Sequence, residues 1–255
     1  MLSEAEKRQL DEEGHLAFPG LMSAELVDTL RRRIDVLFAE EGDAAGSEFK
    51  REPGARRLAN LVNKGRIFEQ VMLHPVVLES MAHILGPRFK LSSLNARTPE
   101  PYGEGQQPLH VDSGAMPDQQ GYWVSNSIWM LDDFTPENGA TRFISGSQSW
   151  RRLPPPGMYD SYPGERLITG KAGTVIIMNG HMWHAGTSNR TAHPRRALHV
   201  YFTRWDKPQQ QYQKQLLSPE VQARLSPEMR HLLALDDTLN DELSLTGSGA
   251  SGFLK

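Results

Sequence analysis

Cysteine is missing from all 255 residues. That excludes disulfides, thiolate metal sites and cysteine nucleophiles, and it suits a reducing compartment. Also missing is any apolar run of the length a membrane span needs, and the opening MLSEAEKRQLDEEG is too polar for a signal peptide. The expectation is therefore a cytoplasmic chain with no membrane partner. A surplus of basic charge is lacking too. The formal net charge is -3, which gives no electrostatic basis for binding nucleic acid. The one dense basic run, Arg31-Arg32-Arg33, falls on the solvated face of an amphipathic helix.

What is present divides into three textures. Ser3 with Glu6 forms a capping box that opens a helix ending near Gly14, and HLAFPG follows as a short strand. Ser23 caps a second helix, whose Leu26, Leu30, Ile34, Leu37 and Phe38 recur at helical spacing. Residues 43–57, polar with Gly and Pro, read as loop, and a helix over 76–85 stops at Gly86-Pro87. From Phe89 short runs rich in β-branched and aromatic residues alternate with Gly, Pro and Asn clusters: FKLSSLNART, PLHVD, YWVSNSIWMLDDF, ATRFISG, ERLITG, GTVIIMN and RALHVYFTRW. Such spacing predicts a sandwich or barrel, buttressed by the preceding helices in an α+β arrangement with a mainly β core. Helix returns after Ser218-Pro219-Glu220 and Ser226-Pro227-Glu228, and SLTGSGASGFLK is expected to be a mobile tail. One domain over 1–255 follows: a helical buttress at 1–88, a β core at 89–206, helices at 207–243 and the tail at 244–255.

The chemistry concentrates at His110-Val111-Asp112. Alternate side chains of a strand share a face, so His110 and Asp112 project together while Val111 turns away. Two imidazoles and a carboxylate on one face of an ion leave the other face open, as non-haem Fe(II) chemistry requires. His181, His184 and His199 are the candidates for the second imidazole. An arginine on the strand that returns after His184 can bind a carboxylate bidentately with its planar fork.

The pieces QPLHVD (107–112), LDDFTPENGATRFISGS (131–147), AGTVIIMNGHMWHAGTSNRT (172–191) and PRRAL (194–198), in that order, resemble the phytanoyl-CoA dioxygenase family of Fe(II)/2-oxoglutarate oxygenases. The amino-terminal DEEGHLAFPGLMS, NLVNKGRIFEQVMLHP and LGP fit more loosely. The resemblance implies a double-stranded β-helix, the cupin-like jelly roll. It implies Fe(II) held by the catalytic residues His110, Asp112 and His184, with 2-oxoglutarate and O₂ as co-substrates. Arg195 matches the arginine that pairs with the distal carboxylate of 2-oxoglutarate, strand alternation turning Arg196 away. Gln107, Thr141 and Asn60 match polar positions that contact the co-substrate in some members. The implied activity is hydroxylation of a small-molecule substrate with release of succinate and CO₂. Asp112 stands where halogenating members lack a carboxylate, so hydroxylation, desaturation or ring formation is favoured. Ser145-Gly146-Ser147-Gln148 replaces the Pro-Gly-Ser-His of many members.

Loops 97–105 and 113–123 and the proline-stiffened run 153–160 flank the site as candidate substrate loops, the last as a lid. Tyr102, Met116, Trp123, Trp129 and Tyr159 are candidate pocket residues, or else packing residues, and His199, which shares the alternation of Arg195, either faces the barrel interior or is a satisfied core histidine. Two other readings fit the same barrel: a cupin-like metalloenzyme independent of 2-oxoglutarate, and a non-catalytic binding protein. The lack of an H-E-x-x-H helix argues against a zinc hydrolase.

Overall fold

The computed structural model describes residues 1–246. Helix α1 (Glu4–Glu13) opens on the Ser3/Glu6 capping box and closes at Gly14 in the left-handed conformation, φ 78°. Strand β1 (His15–Phe18) leads into α2 (Ala24–Glu41), where Ser23 Oγ accepts from Leu26 N and Val27, Leu30, Ile34, Leu37 and Phe38 are buried. Burying such side chains is worth about 1.5–3 kcal/mol each, so this face fixes α2 against the sheet beneath it. Two short elements were not expected. Strand β2 (Ala55–Leu58) lies inside the stretch read as loop, and α3 (Ile67–Met72) precedes α4 (Pro75–Leu85).

The β core comprises β3 (Phe89–Pro99), β4 (Val124–Met130), β5 (Thr141–Ile144), β6 (Glu165–Leu167), β7 (Val175–Asn179), β8 (His184–Gly186) and β9 (Ala197–Arg204). Six strands form one antiparallel sheet in the order β1-β7-β4-β9-β3-β2, and three form a second in the order β6-β5-β8. The expected strand PLHVD is reduced to a single antiparallel bridge between His110 and His184, which extends the small sheet beyond β8. Facing sheets of this kind make the expected jelly roll. Short helices α5 (Gln213–Leu216), α6 (Pro219–Arg224), α7 (Pro227–Leu232) and α8 (Thr238–Thr246) follow, with Ser218 and Ser226 capping α6 and α7. Residues 244–246, assigned to the tail from sequence, close α8 instead; the remainder of that tail lies outside the described residues.

Alternation along the large sheet divides outside from inside. Leu94, Ala96, Trp129, Val175, Ile177, Leu198, Val200 and Phe202 point outward into one core with α2, α3 and α4. Inside, Ile128, Met130, Ile176 and Met178 pack on Phe143, Ile168 and Met182, which joins the two sheets through a dry zone. Beside a further apolar cluster that includes Val124, Ile144 and Trp183, the polar Ser93, Asn95, His199 and Tyr201 face a cavity.

Candidate metal centre

His110, Asp112 and His184 come together, each offering a ligand atom within 4.8 Å of the others. The sheet does this directly. His110 and His184 exchange both backbone hydrogen bonds at 3.0 Å, so their side chains stand side by side with ring centroids 4.5 Å apart. Asp112 N donates to Gly180 O at 2.9 Å, and the chain then turns through Ser113 at φ 57°, leaving the carboxylate beside His184 Nε2 at 3.5 Å.

Both imidazoles are oriented by backbone. Nδ1 of His110 lies 2.9 Å from Pro108 O and Nδ1 of His184 2.8 Å from Met182 O. A carbonyl can only accept, so each Nδ1 carries the proton and each Nε2 keeps a lone pair for a metal. Burial, reinforced by His184, pushes His110 down to about 4. Burial also opposes charge on His184, but the Asp112 carboxylate outweighs it and raises the group. Asp112 itself is lowered, its burial being overcome by His184 and His110, and its Oδ2 has no hydrogen-bond partner among the described residues. Two imidazole nitrogens and a free carboxylate oxygen suit a divalent cation, which would displace the proton that Asp112 favours on His184.

The other histidines are placed elsewhere. His181 binds Asn179 through Nδ1 at 3.1 Å and packs against Tyr122. His199 lines the cavity outside the triad, held neutral at about 3 by burial and by Arg57, Arg97 and Arg195.

Arg195 faces the same cavity from the entry of β9 and is 2% exposed. Its guanidinium stacks 4.0 Å over the Phe134 ring, and Nε and Nη1 have no hydrogen-bond partner among the described residues. Burial, reinforced by Arg97, pushes it down to about 9. Buried guanidinium donors without partners call for an anion. Arg196 points the opposite way, onto Asp35 at 2.8 Å and Asp132 at 3.0 Å, as alternation required.

Gln107 and Thr141 line the cavity. Gln107 Oε1 accepts from Gly186 N at 3.0 Å, clamping the His110 segment to β8. Asn60 does not reach the cavity: from a left-handed position, φ 54°, it donates to Glu48 at 3.0 Å and to Leu216 O at 3.2 Å. Sequence reasoning missed the cationic group formed by Lys50, Arg57 and Arg97 around Glu52, all near the cavity. Arg97 was legible by alternation with Ser93 and Asn95; Arg57 was hidden in the overlooked strand β2. Burial opposes the charge of Glu52, yet Arg57 and Arg97 hold it at about 2.

The expected substrate loops contribute little. Among the cavity-lining residues there is none from 153–160, nor Tyr102, Met116, Trp123 or Trp129. Trp129 is fully buried in the outer core, and Met158 O braces Leu109 N at 2.8 Å from outside. Gln148 also lies outside the site. Its amide donates to Asp11 O at 3.0 Å and presses on Gly14, where a Cβ would stand 2.4 Å from Gln148 Oε1. Next to it Ser147 Oγ accepts from Trp183 N at 2.8 Å, one residue before His184. The replacement of Pro-Gly-Ser-His thus ties α1 to β5 and leaves the triad intact.

Residues 10–197 match the profile of the family described as Phytanoyl-CoA dioxygenase (PhyH). The chain is 28% identical over 242 residues to dioxygenase af480 of Aspergillus fumigatus, covering 89% of this chain and 75% of that protein. It is 28% identical over 211 residues to dioxygenase olcK of Penicillium canescens, covering 75% and 67%. The fold is shared with HygX from Streptomyces hygroscopicus with nickel and 2-oxoglutarate bound, at TM-score 0.66 and 16% identity over 82% of this chain and 90% of that one. EctD from S. alaskensis with bound Fe aligns at TM-score 0.67 and 19% identity over 80% and 77%. With a family match that spans most of its length and a two-histidine, one-carboxylate cluster inside the shared barrel, the chain belongs to the phytanoyl-CoA dioxygenase family of Fe(II)- and 2-oxoglutarate-dependent oxygenases.

Proposed function

We propose that His110, Asp112 and His184 hold Fe(II), that Arg195 holds the distal carboxylate of 2-oxoglutarate, and that the enzyme hydroxylates a small-molecule substrate. The supporting observation is that a preoriented triad and a buried, unpartnered guanidinium share one cavity. When bound, the metal and co-substrate supply the oxidation itself, converting 2-oxoglutarate and O₂ to succinate, CO₂ and an inserted oxygen atom.

The chain supplies position, charge and dryness. The Pro108 and Met182 carbonyls hold both imidazoles with Nε2 inward. Asp112 neutralises part of the metal charge and fills the position that halogenating members leave to a halide, which favours oxygen transfer. Gln107 fixes the spacing between the two histidine-bearing segments, and Thr141 offers a hydroxyl on the same wall. The barrel, with its helical buttress over 1–88 and closing helices over 207–243, forms one catalytic domain in this reading.

The test is twofold. Fe(II)-loaded protein given 2-oxoglutarate and O₂ should release succinate, and anaerobic titration should show one Mn(II) bound per chain. His184→Ala should abolish both. Succinate release that survives this substitution would refute the assignment.

A further inference from the structure

A group of charges beside the triad is left over once the metal and co-substrate have been assigned. Lys50 and Arg57 line the same cavity as His110 and Asp112, together with Arg97. These three cations share one carboxylate. Glu52 accepts from Arg57 Nε at 3.0 Å, from Arg57 Nη2 at 2.7 Å and from Arg97 Nε at 2.5 Å, and it stands 3.9 Å from Lys50 Nζ. Fe(II), Asp112, dianionic 2-oxoglutarate and Arg195 together carry no net charge. The positive surplus therefore falls to the Glu52 group, where cations crowded in a partly dry site repel one another until a further anion arrives.

Lys50 is the member placed to meet that anion. The Arg57 and Arg97 side chains are 10% and 6% exposed, whereas that of Lys50 is 50% exposed. Its contact with Glu52 is too long for a hydrogen bond. On the large sheet inside the cavity, Asn95 Oδ1 and Asn126 Oδ1 are buried without hydrogen-bond partners among the described residues. Unpaired amide oxygens reward a ligand that brings N–H or O–H donors, and they penalise a hydrocarbon.

Resting on the reading of the site given above, we infer that the oxidised substrate is a small polar acid. Its carboxylate or phosphate is held by Lys50 backed by Arg57, and its hydroxyl or amino donors meet Asn95 and Asn126.

The experiment is a binding screen on protein loaded with Mn(II) and 2-oxoglutarate. Small hydroxy acids, amino acids and phosphate monoesters are each paired with the neutral amide or parent alcohol, and thermal stabilisation is followed by titration of the hits. The stabilisers should fall among the acids, binding about tenfold or more tightly than their neutral partners. Whether they are carboxylates or phosphates identifies the group that Lys50 receives. Lys50→Met should shrink the preference to roughly twofold, and Lys50→Arg should restore it. Neutral partners that bind as well as the acids, a panel in which no acid binds, or a preference that survives Lys50→Met would each overturn the inference. Uptake of 2-oxoglutarate by the Mn(II) protein is measured first. No uptake refutes the co-substrate assignment itself, while uptake without acid preference refutes only the substrate class.

Discussion

Replacing Arg195 by Met should move stability in opposite directions with and without co-substrate. Without ligand the guanidinium is 2% exposed, with Nε and Nη1 unpartnered and the Phe134 ring at 4.0 Å as its compensation. Desolvating such an ion costs several kcal/mol, of which the ring returns about 2 kcal/mol. A methionine of similar reach removes that deficit, so the ligand-free variant should be more stable by about 1–3 kcal/mol. At about 2–4 °C per kcal/mol for a domain of this size, its melting point should rise by several degrees. With 2-oxoglutarate the order should reverse. Wild type gains about 4.1 kcal/mol at a thousandfold excess over Kd, more than the variant's ligand-free advantage, while the variant forfeits about 2–5 kcal/mol of binding with its charge partner gone. Calorimetry of the Mn(II) protein with and without 2-oxoglutarate reads both effects. A ligand-free variant that melts below wild type, yet gains as much from 2-oxoglutarate, would refute the claim that Arg195 is an unpaired charge kept for this ligand.

Other outcomes follow from the same geometry. Metal binding needs neutral imidazoles, and His184 is raised above 6.5 while His110 sits at about 4. Affinity for Mn(II) should therefore weaken by up to about tenfold per pH unit as pH falls through the raised value, with one proton and not two competing; titrations on both sides of pH 6.5 test this, and a two-proton slope would contradict it. Gly186→Ala places a Cβ 3.0 Å from Arg97 Nη1 and from Gln107 Oε1. It should weaken metal or 2-oxoglutarate binding by about tenfold through the displaced clamp with the far-ultraviolet circular dichroism unchanged; unaltered affinity would show that the clamp is dispensable. Arg204, 3% exposed, holds Asp118 at 2.5 Å and Asp206 at 2.6 Å. Lys207 Nζ also reaches Asp118 at 2.9 Å and Asp206 at 3.7 Å. Arg204→Met should therefore cost only about 1.5 kcal/mol in denaturant unfolding through the lost charge-assisted hydrogen bonds, and a cost near zero would reduce the cluster to surface decoration.

How much was readable in advance depended on whether the signal was local. His110 and Asp112 were legible because strand alternation acts over two residues, and the same rule separated inward Arg195 from outward Arg196. Trp129 could have been excluded from the pocket by that rule, since Asn126 and Ile128 face inward. The choice of His184 over His181 had no local basis; it depends on a backbone pairing with His110, 74 positions away in the chain, which the family resemblance supplied. Strand β2 was hidden because Pro53-Gly54 reads as a turn and four residues show too little alternation; what makes it a strand is β3 beside it. With β2 went Glu52 and Arg57, and so the cationic half of the cavity. Asn60 was misjudged because its left-handed turn, which spends the amide on Glu48 and Leu216, is a tertiary feature.

The carbonyls of Pro108 and Met182 each lie two residues before the histidine they hold. Because main chain, not a neighbouring acid or amide, selects the tautomer, no single side-chain replacement nearby can reverse which nitrogen faces inward. The oxidising apparatus is thereby insulated from changes in the Lys50–Arg57 wall. A mutational library confined to that wall should alter what is accepted while the capacity to load metal persists, which makes this barrel a suitable host for selecting new specificities.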